Sequence, residues 1–365
     1  MKKNIHGPSL YYATDKNVFD ALNQHKVDMQ TIIKLFQRRN IIVSKKTPRE
    51  DLAKYFARLG HDYFDHRDIS SRLGITPRRE RITSMDVIGE NAVETLQVAV
   101  DKLKQELESS GDVVQITREG NTLTMNVQYS TIDYKLSEFA QVQVRDGIVE
   151  FEITDDGYIV RNTHNDYLNN VRDSLIGNIE KDMSEPIKKK VVSLFDITVS
   201  TLRSKFFHEL VNNLPGYMRK DVTDVYIYKA RPEVEDDDDG EADPDTHIER
   251  VALRGNGVTR SQILNGLLDE NQYYITKIGW TAQETSGFGN VYDIEAVFSD
   301  PKDCTGFSFI LSGVYPIENG IVSYRRRVPN KQEIDAISRV VEAKARSLVE
   351  ELKAEVQALS GLVSE

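Results

Sequence analysis

Eight consecutive residues, His61-Asp62-Tyr63-Phe64-Asp65-His66-Arg67-Asp68, bring together two imidazoles and three carboxylates. Imidazole nitrogens and carboxylate oxygens are the donors that divalent metals take as ligands. Phosphohydrolases that use His-Asp pairs add further His and Asp from other helices, and the remaining histidines of this chain supply no such pattern. A surface turn is therefore the expectation for residues 61–68. Asp293 and Glu295 alternate on a run with strand character, as do Glu150 and Glu152. Neither pair is followed by the lysine that a metal-dependent nuclease would place nearby, and such pairs usually face solvent on a half-buried sheet. Glu235-x-Asp237-x-Asp239-Gly240 opens like a calcium loop, but its twelfth position is Thr246 and not Glu. Gly255-Asn256-Gly257 precedes a helix and could cradle a phosphate, yet no Gly-Lys-Ser/Thr follows it. There is no Gly-x-Ser-x-Gly elbow, and the single cysteine, Cys304, has no evident histidine partner. These residues predict no catalytic group, no resident metal and no cofactor.

The cations carry the stronger signal. The net charge is −11, but residues 1–81 hold 17 Lys/Arg against 9 Asp/Glu, a balance of +8 that leaves −19 for the remainder. Charge segregated in this way points to a polyanionic partner for the basic end. Arg38, Arg39, Lys45, Lys46, Arg49 and Lys54 are the candidate phosphate contacts, with Arg78, Arg79 and Arg81 in the run that follows. Arg325-Arg326-Arg327 is a second basic spot; read as a strand, it puts Arg325 and Arg327 on one face. The competing reading of that spot is an edge strand guarded by charge.

The elements that would hold these residues follow from periodicity. Phe19, Leu22, Met29, Ile32, Ile33 and Phe36 recur at helical spacing between Val18 and Asn40, and Leu52, Tyr55, Phe56 and Leu59 share a face over Arg49–Leu59. Thr47-Pro48 reads as a helix start and Gly60 as a stop. A short helix over His66–Leu73 and a linker over 76–81 complete the amino-terminal region. Residues 31–46 (Thr31-Ile32-Ile33-Lys34-Leu35-Phe36-Gln37-Arg38-Arg39-Asn40-Ile41-Ile42-Val43-Ser44-Lys45-Lys46), with Glu50-Asp51-Leu52-Ala53-Lys54-Tyr55-Phe56, carry a recognisable pattern. An amphipathic helix ends in basic residues, an extended apolar-Val-Ser loop and a basic residue follow, and a short second helix closes the unit. Over residues 27–59 this resembles the SAP-type helix–extended loop–helix DNA-binding module. The resemblance implies that Arg38, Arg39, Lys45, Lys46 and Arg49 contact phosphates. The loop is a residue or two longer than in that family, and Asn40 stands where a glycine is usual. Asn tolerates the left-handed conformation that ends a helix.

Beyond residue 82 the pattern is α+β. A helix is expected over Asn91–Ser109, then a period of two over Val114–Thr117, Leu123–Tyr129, Phe139–Val144 and Ile148–Ile153, with turns at Glu119-Gly120-Asn121 and Asp146-Gly147. Helices are expected over 165–182 and 186–214, and strands over 225–230, 248–253, 273–280, 291–298, 307–314 and 321–328. A helix over 261–268 and a long terminal helix over 330–359 complete the set. Gly-Ile-Val-x-aromatic recurs after Asp146 and after Asn319, the trace that a duplicated β-β-β-α unit would leave. Nine acids between 233 and 245 mark a solvated loop. The expected domains are a basic module (1–81), a first α+β domain (82–232), an acidic linker (233–247) and a second α+β domain with the terminal helix (248–365).

No run approaches the roughly 18 apolar residues of a membrane span, and no apolar stretch follows the amino-terminal lysines, so a cytoplasmic protein without a membrane partner is expected. Apolar residues from Ile334 to Val363 fall on one stripe of the terminal helix, and Leu352, Val356, Leu359 and Val363 predict a second copy as partner. The function this supports is a non-enzymatic component of a DNA-processing, phage or anti-phage defence assembly, binding DNA, with RNA not excluded. The alternatives are a metal-dependent nuclease or phosphoesterase using Asp293, Glu295 or residues 61–68, and an adaptor acting through protein contacts.

Overall fold

The structure, a computed structural model, describes residues 13–24, 27–73, 79–89, 92–135, 139, 141–182, 187–230, 248–270, 272–286, 289–318 and 320–363. Arg78 and the acidic block 233–245 lie outside the described residues. In chain order these residues form α1 (Asp15–Asn23), α2 (Met29–Gln37), α3 (Arg49–Ala57), α4 (Tyr63–Leu73), β1 (Ile82–Ile88), α5 (Ala92–Ser109), β2 (Val113–Glu119), β3 (Thr122–Ile132), β4 (Val142–Thr154), β5 (Gly157–Thr163), α6 (Asp166–Asp182) and β6 (Lys188–Val191). There follow α7 (Ser200–Asn212), β7 (Tyr217–Tyr228), β8 (Arg250–Arg254), α8 (Gln262–Glu270), β9 (Tyr274–Glu284), β10 (Val291–Asp300), β11 (Thr305–Tyr315), β12 (Ile317–Glu318), β13 (Ile321–Val322) and α9 (Lys331–Val363). The protein is α+β, with antiparallel strands and a long carboxy-terminal helix.

Two compact units interleave along the chain. The first takes Met1–Arg78, Val93–Glu150 and Val171–Asp182; the second takes Arg79–Ala92, Phe151–Asn170 and Met183–Glu365. Consecutive blocks were expected, and β1 is the reason for the difference. It pairs antiparallel with β5, β11 and β6, so residues just after the basic module belong with strands far along the chain.

In the first unit, helix starts are set by side chains. Thr14 accepts from the Asn17 N–H while the Asn17 carboxamide accepts from the Thr14 N–H, a capping box for α1. Asp28 accepts from the Thr31 N–H at 2.7 Å and starts α2. The helices close over Val18, Leu22, Ile32, Leu35, Phe36, Leu52, Phe56, Ile69 and Leu73, with Phe139 inserted among them. The single apolar periodicity over Val18–Asn40 is thus two helices broken at Gln24.

The second unit is an antiparallel sheet in the order β5-β1-β11-β10-β9-β7-β8, with β6 added along β1. Its core holds Phe206 and Phe207 of α7, Trp280, Phe298, Phe309, and Val341, Ala345 and Leu348 of α9. Leu352 is buried and Val356 packs against the same core, so the stripe that predicted a second copy is covered within the chain this far; Leu359 is half-exposed. Lys205 to Glu355 (2.7 Å) and Lys353 to Asp196 (2.9 Å) tie α9 down beyond the core. Under α9, Arg161 of β5 pairs with Glu342 and with Glu152, each at 2.6 Å, and Arg346 pairs with Asp86 at 3.1 Å and approaches Glu342 at 3.5 Å.

Three expected elements are corrected. Where one helix over 186–214 was expected, residues 187–214 are a strand, a loop and then α7, because Val191-Val192 and Ile197-Thr198-Val199 are β-branched and disfavour a helix ahead of Ser200. Asp146-Gly147 is not a turn: β4 runs straight through it, and Gly147 is buried within the strand. Residues 321–328 are not one strand but the two-residue β13 and an irregular segment, held by a bridge between Arg327 and Val314. The Gly-Ile-Val echoes therefore occupy different structures, mid-strand in β4 and at the β12–β13 hairpin, which does not bear out a duplicated unit.

Candidate nucleic-acid interface

The α2–loop–α3 segment is built around one left-handed residue. Asn40 has φ 56°, its N–H donates to the Gln37 carbonyl at 2.9 Å, and the Ile41 N–H reaches back to the Phe36 carbonyl at 3.0 Å. This is the paired bonding that ends a helix when the residue after it turns left-handed. The chain leaves extended, with Ile41 and Val43 packed on the helical core and Ile42 96% exposed between them. Thr47 closes a turn onto the Ser44 carbonyl at 3.1 Å. Pro48 occupies the cap position of α3, which has no side-chain cap bond, so Thr47 is not its cap.

The predicted phosphate contacts divide into two groups. Arg38 pairs with Asp68, and Arg39 with Asp65, at the same time as Arg39 lies 5.1 Å from the centroid of the Phe56 ring. Arg49 donates to the carbonyls of Leu22 (3.2 Å) and Gln24 (2.7 Å), satisfying the end of α1. These three arginines hold the module together. Lys45 and Lys46 in the loop and Lys54 on α3 are exposed instead. Arg58, at the end of α3, is exposed beside them in sequence and was not singled out by the pattern.

Residues 61–68, expected as a surface turn, lead into and start α4 (Tyr63–Leu73). The Asp62 carboxylate accepts from the Asp65 N–H at 2.9 Å and the Asp65 carboxylate accepts from the Asp62 N–H at 3.4 Å, a capping box in which the hydrogen bond from Asp65 holds the Asp62 carboxyl below its usual range. The His61 side chain is only 7% exposed, and burial pushes its pKa down. Its Nε2 lies 3.4 Å from the Ala57 carbonyl, while Nδ1 is buried 3.8 Å from Asp65 Oδ2, beyond hydrogen-bond reach. An open cleft of about 580 Å³ is lined here by Arg38, Arg39, Gly60, His61, Asp62, Phe64 and Asp65. A second of about 340 Å³, lined by Thr31, Lys34, Leu35, Arg38, Asp68 and Arg72, shares Arg38 with the first.

The remaining candidates lie in the second unit. Arg79 donates to the Leu311 carbonyl at 3.1 Å, and Arg81 pairs with Glu295 at 2.5 Å, opposite Lys277 at 2.6 Å. Burial alone would raise Glu295, but the Lys277 and Arg81 cations hold it below its ordinary value. Asp293 is pushed up by burial and pairs with Arg326 at 2.5 Å, across Gly313, where any Cβ would meet the Arg326 Cδ at 2.1 Å. Arg327 is held by Glu333, so Arg325 and Arg327 do not form a basic strand face; Arg325 is exposed. Among the described residues, no group of three or more His, Cys, Asp or Glu is placed to hold a metal ion. The Gly257 N–H is taken by the Asp221 carboxylate at 3.0 Å, where a phosphate would have to sit. Burial pushes the Cys304 thiol up to about 12, which leaves it unreactive at neutral pH. Lys188, Lys189 and Lys190 on β6 are an exposed basic run that the helical reading of 186–214 concealed.

No protein-family model matches this chain, and no curated protein sequence matches it. No described helix is long and apolar enough to cross a membrane.

Proposed function

We propose that this protein binds nucleic acid through the α2–loop–α3 module, without chemistry of its own. The observation that carries the reading is the division among its cations. Arg38, Arg39 and Arg49 have partners within the chain, whereas Lys45, Lys46 and Lys54 project into solvent from a rigid frame. Lysines on the Ser44–Thr47 turn and on the adjoining helix are point charges suited to phosphates and indifferent to sequence. Ile41 and Val43 pack on the core and anchor the loop that leads to Lys45 and Lys46. The balance of +8 over residues 1–81 supplies the field that draws a polyanion to this end. A gel shift of the full chain with a mixed-sequence DNA at two salt concentrations tests the reading. A retarded complex at low salt that weakens at higher salt is expected. Lys45→Ala, Lys46→Ala and Lys54→Ala combined should remove most of it, whatever the sequence of the probe.

A further inference from the structure

We propose that the nucleic acid this module takes is single-stranded, with one unstacked base entering the cleft lined by His61 and Phe64; this rests on the nucleic-acid reading above. The two clefts that share Arg38 differ in charge. The smaller has Lys34, Arg38 and Arg72 against a single Asp68, which suits a phosphate. The larger sets Arg38 and Arg39 against Asp62 and Asp65, which suits an uncharged group. Its volume of about 580 Å³ falls within the roughly 300–1,000 Å³ of small-ligand pockets and admits a nucleobase. Phe64 is 56% exposed there, with Tyr63 61% exposed and 5.7 Å away edge-on, and Tyr55 is 54% exposed on α3. Exposed rings offer stacking faces to bases that have left a duplex, and every base has such a face.

Two buried polar atoms belong to residues lining the larger cleft and lack hydrogen-bond partners, His61 Nδ1 and Arg39 Nε. Neither atom is open to solvent, so a base in the cleft would meet them only through movement of the side chains that cover them. Burial disfavours the charged His61 imidazole, and its Nε2 faces the Ala57 carbonyl, which leaves Nδ1 as the acceptor of the neutral ring. A duplex, by contrast, has its Watson–Crick edges paired and its base faces stacked, and would leave the exposed rings unused.

The test is fluorescence anisotropy of the full chain with a labelled oligonucleotide of about 16 nucleotides, long enough to fill one site, as single-stranded DNA, as single-stranded RNA and as the DNA duplex. Either single strand should bind more tightly than the duplex. Phe64→Ala, at a surface ring whose loss leaves the fold intact, should weaken single-strand binding by about fivefold or more and leave the duplex unchanged. Tyr63→Ala should act in the same direction and more weakly. Duplex binding equal to or tighter than single-strand binding, or single-strand binding indifferent to Phe64→Ala, overturns this inference and leaves the nucleic-acid reading standing. Absence of binding to all three probes overturns both.

Discussion

Glu342 on α9 is 1% exposed and accepts from the Arg161 Nε at 2.6 Å, with the Arg346 guanidinium at 3.5 Å. Glu342→Ala would remove one acid from Arg161, itself only 10% exposed, which keeps Glu152, and one from Arg346, which keeps Asp86 and Ser84. Removing one partner of a buried ion pair costs about 3–5 kcal/mol, because the other charge stays out of water. Each arginine keeps a second acid here, so the lower end, about 3 kcal/mol, is the expectation. Trp280 is the single tryptophan and is fully buried in the second unit's core, so its fluorescence during urea unfolding reports on the unit that α9 closes. With a urea slope of about 2–3 kcal/mol per molar, the midpoint should fall by about 1 M or more. Replacing both charges, Arg161→Met with Glu342→Leu, should restore much of that loss, since an apolar pair of similar volume is often as stable as a buried ion pair. A midpoint shift worth less than about 1 kcal/mol for Glu342→Ala, or a double variant no better than the single, would refute the claim that this network closes α9 on the sheet.

Further outcomes follow from local geometry. Asn330 and Glu333 cap α9 reciprocally at 2.9 Å, and the Arg327 hydrogen bond holds the Glu333 carboxyl below its ordinary value. That contribution is complete above the unfolded carboxyl's value of about 4.3 and is lost as pH falls through the lower folded value. Glu333→Gln should therefore cost about 1 kcal/mol at neutral pH in urea melts, with the gap to the wild type closing in acid. Asn40→Ala should cost about 1 kcal/mol at φ 56°, whereas Asn40→Gly should be neutral or slightly stabilising; equal effects would show that the left-handed turn is not what ends α2. Gly313→Ala forces Arg326 off Asp293 and should destabilise the chain by about 1–2 kcal/mol, but have little effect when Arg326 is already alanine.

The parts of this fold that were legible are those whose cause is local. Asn40 follows a basic helix end, and its left-handed turn is visible in the residue type. The alternating runs of β2, β3, β10 and β11 and the stripe of α9 carry their own period. What was hidden depends on distant residues. Whether Arg38 and Arg39 meet phosphate or protein is decided by Asp68 and Asp65, on a later helix. The same holds for Arg327 and Glu333, and for Arg81 and Glu295 across more than two hundred residues. Asp146-Gly147 has the composition of a turn, but β4 passes through it extended, and β6 was lost because Lys188–Val191 is too short to show a period. The cleft between α2 and α4 brings together residues 38–39 and 60–65, which no spacing rule connects.

The binding role assigned to Lys45, Lys46 and Lys54 is tested most directly by the salt dependence of nucleic-acid affinity. Each neutralised phosphate contributes about 0.7 to the slope of log K against log salt for a single strand and about 0.9 for a duplex. The full-length chain should bind with a clearly negative slope, and replacing the three lysines with alanine should flatten it by about 2 while lowering affinity at every salt concentration. Retention of both affinity and slope in the triple variant, or no binding by the unaltered chain at low salt, would contradict the account.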